Sequence, residues 1–334
     1  MTPLRQSIAI PVRELHDVGD CRRRALAIAK TVHFDETDAG KVALVVTEFA
    51  TNLVKHAGGG TILVRALQSG DDFGLEVMSL DKGPGFNADQ CLRDGYSTSG
   101  SPGTGLGAVA RLAKSLEVYS LPQRGSVLVA ALWPSIYGKA TPDVTAGAIC
   151  LPVDGEHECG DGWAIRYSPD HIRVVVSDGL GHGPLAAKAT DAALSLFAVN
   201  DRSSPAQVIQ TFHLALKPTR GAAIAIVDID LVQSQATFAG IGNIGASLFT
   251  GVKSRGMVSL NGIVGHQIAR VAEFTYPCAP EDVLVLHSDG LSAHWKMEDY
   301  PGLAYRSPSL IAGVFYRDYR RVKDDATIVV LRRS

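Results

Sequence analysis

Five aspartates stand where short apolar runs end, and they are the first chemical signal in the chain. CGDGW (159–163) presents Asp161, SDGLGHG (177–183) presents Asp178, HSDG (287–290) presents Asp289, and KDDAT (323–327) presents Asp324 and Asp325. An aspartate followed by glycine is most often a turn, so each taken singly reads as structural. Four such acids at the ends of buried strands would repel one another unless cations stood between them. Hard oxygen donors, with no cysteine and little histidine among them, suit Mg²⁺ or Mn²⁺ with waters completing the shell.

The first half carries a different set. In ALVVTEFATNLVKHAG (43–58), Glu48, Asn52 and His56 recur every four residues and share one helix face. Leu44, Val45 and Leu53 supply an apolar stripe beside them. Alone, that polar line is a solvated surface. DKGPGF (81–86) adds Asp81 as an acceptor at a strand end, with Gly83 and Gly85 letting the backbone pass close to a flat ligand. GSPGTGLGAVARLAK (100–114) then places Gly103, Gly105 and Gly107 ahead of a helix, whose unpaired N–H groups make a phosphate site. Each glycine cluster alone is an ordinary loop; polar helix, Asp-Gly loop and Gly-rich lid in that order are far less expected by coincidence.

Two scaffolds are needed to position these sets, and the sequence has a seam between them at PSIYGKATPDVTAG (134–147), rich in proline and glycine. We expect domains at 1–135 and 147–334 with a linker over 136–146. In the first, periodicity predicts helices over 17–32, 37–56 and 105–116, and strands over 61–68, 73–80 and 126–133. In the second, β-branched runs predict strands over 171–178, 222–230, 282–289 and 326–332, with helices over 184–199 and 205–216. The class is α+β, layered.

Composition agrees with two buried cores: 334 residues, 46% hydrophobic and 20% charged. A formal net charge of -2, with both signs scattered, gives no footprint for nucleic acid and no polybasic membrane anchor. No run approaches the ~20 apolar residues of a membrane span, and a cytoplasmic protein is expected. The five cysteines, without C-x-x-C, read as reduced core thiols rather than a disulfide frame or zinc cage.

The first 135 residues resemble the GHKL ATPase superfamily, and within it the small switch serine kinases of bacterial stress-signalling complexes. DGYSTSGSPGTGLGAVARLA (94–113) is especially similar. The resemblance implies a Bergerat-type α/β sandwich that binds ATP. Asn52 would hold Mg²⁺ against the triphosphate, and Asp81 would bond the adenine amino group in a pocket shaped by Gly83 and Gly85. Gly103, Thr104, Gly105 and Gly107 would wrap the phosphates. Glu48 would orient or deprotonate the attacking protein hydroxyl, and His56 would only pack. Ser101-Pro102 departs from a lid usually richer in glycine, which implies altered closure and turnover.

Residues 146–334 resemble the PPM-type phosphatases of the compact SpoIIE-like branch, in the order GD, SDG-x-GHG, GNIG, SDG, DD-x-T. That implies an α/β/β/α sandwich with two Mn²⁺ or Mg²⁺ ions. Asp178 would bridge the metals, the Gly179 carbonyl would contact one, Asp289 and Asp324 would complete the second, and Asp161 would hold a water on them. Asp325, where the wider family has Asn, would support the site, and Asn243 in GIGNIG would shape its floor. His182 either donates a proton to the leaving serine oxygen or is a turn residue. No second acid closely follows Asp161, so a third metal is not expected.

Together the resemblances imply a bifunctional switch. One half would phosphorylate and the other dephosphorylate Ser/Thr of a STAS-domain anti-anti-sigma regulator in stress or sigma-factor signalling. The alternatives are a phosphatase governed by an ATP-sensing first domain, or an anti-sigma-type module that binds a sigma factor or signalling complex.

Overall fold

The computed structural model describes residues 5–70, 72–87, 105–134, 144–199 and 203–333. The chain divides into two compact units, Met1–Thr141 and Pro142–Ser334.

The first unit is a helical layer on one antiparallel sheet. Strand β1 (Ser7–Val12) leads to helices α1 (Asp17–Thr31) and α2 (Glu36–Asn52). Strands β2 (Gly60–Ser69) and β3 (Asp72–Leu80), helix α3 (Gly105–Leu112), and strands β4 (Ser115–Ser120) and β5 (Ser126–Leu132) follow. The sheet order is β1-β2-β3-β5-β4. Alternation along each strand turns Ile62 and Val64, Leu75 and Val77, and Leu128 and Ala130 toward Val45, Val46 and Phe49 of α2. Burial of side chains of this size contributes roughly 1.5–3 kcal/mol each.

Helix α2 begins where Asp35 caps it, its carboxylate accepting from the backbone N of Asp38 at 2.7 Å. Its end differs from expectation. The α-helix stops at Asn52 and one π-turn, Leu53–Ala57, carries it to Gly58 at φ 72°. His56 lies in this wider turn, out of the four-residue line with Glu48 and Asn52, and it is exposed rather than a core packing residue. Leu44 is 56% exposed, so the apolar stripe is Val45, Val46, Phe49 and Leu53 instead. The helix expected over 105–116 ends at Leu112, and Ser115 already begins β4.

The second unit has four layers. Its strands are β6 (Val144–Leu151), β7 (Asp161–Tyr167), β8 (His171–Gly179), β9 (Ala222–Asp230), β10 (Gln235–Ile241), β11 (Gly245–Phe249), β12 (Ser254–Gly256), β13 (Gly262–Ile263), β14 (Gln267–Ile268), β15 (Phe274–Pro277), β16 (Val283–His287) and β17 (Ala326–Arg333). One sheet runs β15-β10-β9-β8-β7 and the other β12-β11-β16-β17-β6, while β13 and β14 form a small separate hairpin. The inner faces meet through Val174, Val176, Val227 and Phe238 on one side and Leu248, Leu284, Leu286 and Val329 on the other. Helices α4 (Pro184–Val199) and α5 (Pro205–Ala215) cover the first sheet through Phe197, Ile209 and Phe212.

Helix α6 (Pro308–Tyr319) covers β6 and β17. It approaches β6 closely enough that a Cβ on Gly147 would stand 2.1 Å from the Ser309 backbone N. Glycine at 147 is therefore a packing requirement, not a linker signal, and β6 opens at Val144 inside the segment expected to be linker. Cys150 and Cys159 are buried, their sulfurs 3.7 Å apart, and both are free thiols, as are buried Cys21 and Cys278.

Candidate functional site

In the second unit the register of the first sheet places Asp161 directly across from Asp178, on neighbouring strands β7 and β8. Asp289 follows β16 and Asp324 precedes β17, so both come from the second sheet. Asp178, Asp289 and Asp324 line one cavity of about 600 Å³, together with Asn243, Asn261 and Leu180. Asn243 donates its amide to the Asp289 carboxylate at 2.7 Å. Turn chemistry produces this convergence, because each S-D-G ends its strand and releases the carboxylate at the sheet edge.

Burial and like charge oppose ionisation of this set. Burial pushes Asp178 up to about 9, and the charges of Asp161, Asp289 and Asp324 add to it. Asp289 is also raised, by burial and then by Asp324, against the opposing charge of Arg321. Such a group is satisfied by protons or by cations. Its donors are oxygens throughout, with no histidine or cysteine on the cavity wall. Among the described residues no three acidic, histidine or cysteine side chains close into a ready-made cage. That suits cations which keep most of their waters and take few protein ligands, so the residues present fit Mg²⁺ or Mn²⁺.

Four sequence candidates stand off the cavity wall. Asp161 is 1% exposed and accepts from Ser288 Oγ at 2.6 Å, and burial holds its carboxyl well above the usual range. It backs Asp178 rather than facing the cavity. Gly179 ends β8, where its N donates to the Gly160 carbonyl at 3.1 Å. His182 is 56% exposed on its side chain and lies with Nδ1 3.0 Å from Glu156 Oε1, outside the cavity lining. Asp325 is buried and clamps the loop before β7, accepting from the backbone N of Val153 at 2.7 Å and of Gly160 at 2.6 Å.

In the first unit, α2 sets Glu48 and Asn52 one turn apart, both partly buried. The Glu48 carboxylate faces the start of α3: its Oε2 lies 2.5 Å from where a Cβ on Gly105 would stand. A helix N-terminus favours an anion, and the absence of a side chain at Gly105 leaves the carboxylate room beside it. Gly107 is buried within α3. Asp81, at the end of β3, is 6% exposed; it accepts from Ser126 Oγ and from the backbone N of Gly83 at 2.8 Å. Its Oδ1 also accepts from the backbone N of Ser126 at 3.2 Å, so the carboxylate is fixed in place by three donors. A side chain on Gly83 would meet Ala57 of the π-turn at 2.8 Å, and one on Gly85, at φ 70°, would meet the Leu121 carbonyl at 2.2 Å. Gly103, Thr104 and the Ser101-Pro102 step lie outside the described residues.

Sequence reasoning missed Ser126, Ser288, Asn261 and Glu156. Each acts through a strand or loop distant in sequence, so no local spacing marks it.

Comparison with known proteins agrees with this division. Residues 12–131 match the histidine kinase-like ATPase domain family, and residues 168–334, half the chain, match the family of stage II sporulation protein E (SpoIIE). The serine/threonine-protein kinase RsbT of Bacillus subtilis (strain 168) is 30% identical over 118 residues, spanning 35% of this chain and 89% of RsbT. The phosphoserine phosphatase RsbX of the same organism is 25% identical over 143 residues, 42% of this chain and 72% of RsbX. A crystal structure of RsbX in complex with magnesium superposes with a TM-score of 0.51 at 21% identity, over 59% of this chain and 98% of that one. The chain thus belongs to the SpoIIE family of PPM-type serine/threonine phosphatases through its second half, and through its first half to the histidine kinase-like ATPases that include the RsbT kinase.

Proposed function

We propose that the chain is a bifunctional switch: its first unit transfers phosphate from ATP to a serine or threonine of a STAS-domain regulator, and its second removes it. The observation that carries the reading is the cavity walled by Asp178, Asp289 and Asp324, drawn from two sheets, on the same polypeptide as the Glu48/Asn52 helix and the Asp81 pocket. Each set without the other would be half of a switch.

In the second unit, Asp178, Asp289 and Asp324 hold the divalent cations, with the Gly179 carbonyl as a further oxygen donor and Asp161 behind Asp178. Bound cations supply Lewis acidity that activates water and neutralises the phosphoryl oxygens. Asn243 fixes the orientation of Asp289 through their hydrogen bond. Asp325 holds the loop before β7 in place through two backbone N–H groups. The Glu156 carboxylate orients the imidazole of His182, which is available to protonate a leaving serine oxygen at the rim.

In the first unit, Asp81 accepts from the adenine amino group, Gly83 and Gly85 admit the flat base, and Asn52 takes Mg²⁺ on the triphosphate. Gly103, Thr104, Gly105 and Gly107 supply backbone N–H groups to the phosphates. Glu48 orients the attacking hydroxyl.

The test uses the Asp178→Asn/Asp289→Asn chain, γ-labelled ATP and a STAS-domain protein encoded nearby. Label should pass to a serine or threonine of that protein and be removed by the unsubstituted chain. ATP binding without transfer refutes the kinase half and leaves a phosphatase with a nucleotide-sensing domain. Capture of a sigma factor instead of transfer points to the anti-sigma alternative.

A further inference from the structure

The acidic cavity must receive a phosphomonoester dianion, yet no lysine or arginine forms its wall. Arg220 stands one step outside. Its Nη1 lies 3.2 Å from where a Cβ on Gly181 would be, and Gly181, at φ 87°, does line the cavity. The guanidinium is exposed, and among the described residues it makes no hydrogen bond or ion pair. Other arginines of this unit are committed, as Arg320 is to Asp154 at 2.7 Å and Arg317 to Asp318. An uncommitted arginine beside an acid-lined cavity is a different case.

The backbone at this point is pinned to both sides of the cavity mouth. Leu180 N, in the loop after β8, donates to the Gly221 carbonyl at 3.0 Å. Gly221, at φ 77°, has no room for a side chain, since a Cβ would meet the Val264 carbonyl at 2.6 Å and the His266 ring at 2.7 Å. Both belong to the segment joining β13 to β14, and β13 with Asn261 also lines the cavity. Arg220 is therefore rooted between the Asp178 loop and the hairpin. Its long stem is free to reach inward while its base is fixed.

We propose that Arg220 grips the phosphoryl oxygens of the incoming phosphoserine at the cavity mouth. This rests on the phosphatase reading of the second unit. A guanidinium presents two parallel N–H donors that match two phosphoryl oxygens, and it stays charged at any working pH. Arg220 would hold the phosphoryl group from the rim and fix the angle at which the ester oxygen points outward, leaving the acids of the wall to any cation they hold. Arg321 is the competing candidate. It too is exposed, beside Asp289, with its backbone N bonded to the Gly290 carbonyl at 2.7 Å. Its charge acts on Asp289, whereas the guanidinium of Arg220 lies against Gly181, so the two are compared directly.

The experiment compares the full chain with its R220A, R220K and R321A variants in Mn²⁺. Hydrolysis of para-nitrophenyl phosphate gives KM and kcat, and calorimetry gives the affinity for inorganic phosphate. R220A should weaken phosphate binding and raise KM by roughly 10- to 100-fold, the loss of a charge-assisted contact, with kcat changed far less. R220K should recover only part, because an ammonium supplies a point charge without the fork. Should R220A fold poorly, R220K, which keeps stem and charge, still reports through the same split of KM from kcat. Phosphate affinity in R220A within twofold of the parent overturns the proposal, as does a loss confined to R321A. A parent chain that binds phosphate through Arg220 but hydrolyses nothing overturns the phosphatase reading alone. A parent chain that does neither overturns both.

Discussion

Asp178→Asn should stabilise the second unit when divalent cations are stripped, and lose that advantage when they are restored. The Asp178 carboxyl is pushed up to about 9 by burial and by the neighbouring acids, against 3.8 for the unfolded chain. The folded form therefore binds more protons than the unfolded form between those values, so its stability falls as pH rises through them. Held in full to pH 7, the penalty would be about 4 kcal/mol at 1.36 kcal/mol per pKa unit. Water at the cavity mouth screens part of it, leaving about 1–3 kcal/mol. Asparagine keeps the shape and removes the charge. For a unit of this size the gain corresponds to roughly 3–10 °C in Tm. The assay is scanning calorimetry of both proteins in EDTA, followed by a Mn²⁺ titration. The advantage of the variant should be absent near pH 4 and grow toward pH 9. Added Mn²⁺ should raise the parent's transition strongly and the variant's weakly, reversing their order. A variant less stable than the parent in EDTA at pH 8, or one that responds to Mn²⁺ equally, refutes the reasoning.

Two further substitutions separate the units. Asp81→Ala should lower affinity for a fluorescent ATP analogue at least ~10-fold and destabilise the first unit by about 1–3 kcal/mol, because Ser126 and Gly83 lose their acceptor. Hydrolysis of para-nitrophenyl phosphate should be untouched; a parallel loss there would mean the effect is not local. Asp325→Ala should cost about 1–3 kcal/mol in urea unfolding of the second unit, since the buried N–H of Gly160 and the half-buried N–H of Val153 lose their acceptor. Asp325→Asn should cost less, and equal losses would place the effect in charge rather than in the clamp.

Much of the fold could be read from local pattern, and the failures have common causes. Helix α4 and strand β9 fall where the pattern predicts them: α4 has one buried face, and β9 is a short apolar run packed on both faces. Helix α6 went unseen although Ser307 caps it and Pro308 opens it. Every residue from Pro308 to Tyr316 is buried, so burial marks no single face along that run. The π-turn was invisible because nothing in LVKHA distinguishes five residues per bond from four. At the acid site, residue types and strand ends pointed to Asp178, Asp289 and Asp324. They did not reveal that Asp161 faces Ser288, because that pairing joins segments 127 residues apart. The same holds for Ser126 beneath Asp81, 45 residues away. Local sequence encodes which side chains a strand end releases; only tertiary pairing decides which way they turn.

The contact between Gly147 and Ser309 also bears on how this sequence can drift. Where layers are spaced by side chains, a change on one side can be offset by another across the gap. Where α6 crosses β6 the spacing is set by main chain against main chain, with a would-be Cβ also 2.3 Å from the Pro308 carbonyl carbon. No partner substitution can make room there, because there is no side chain to shorten. Position 147 is thus closed to single-step exchange, while the apolar residues of α6 around it remain open to coordinated replacement. A lineage that lost this glycine would have to move a whole helix to keep the fold.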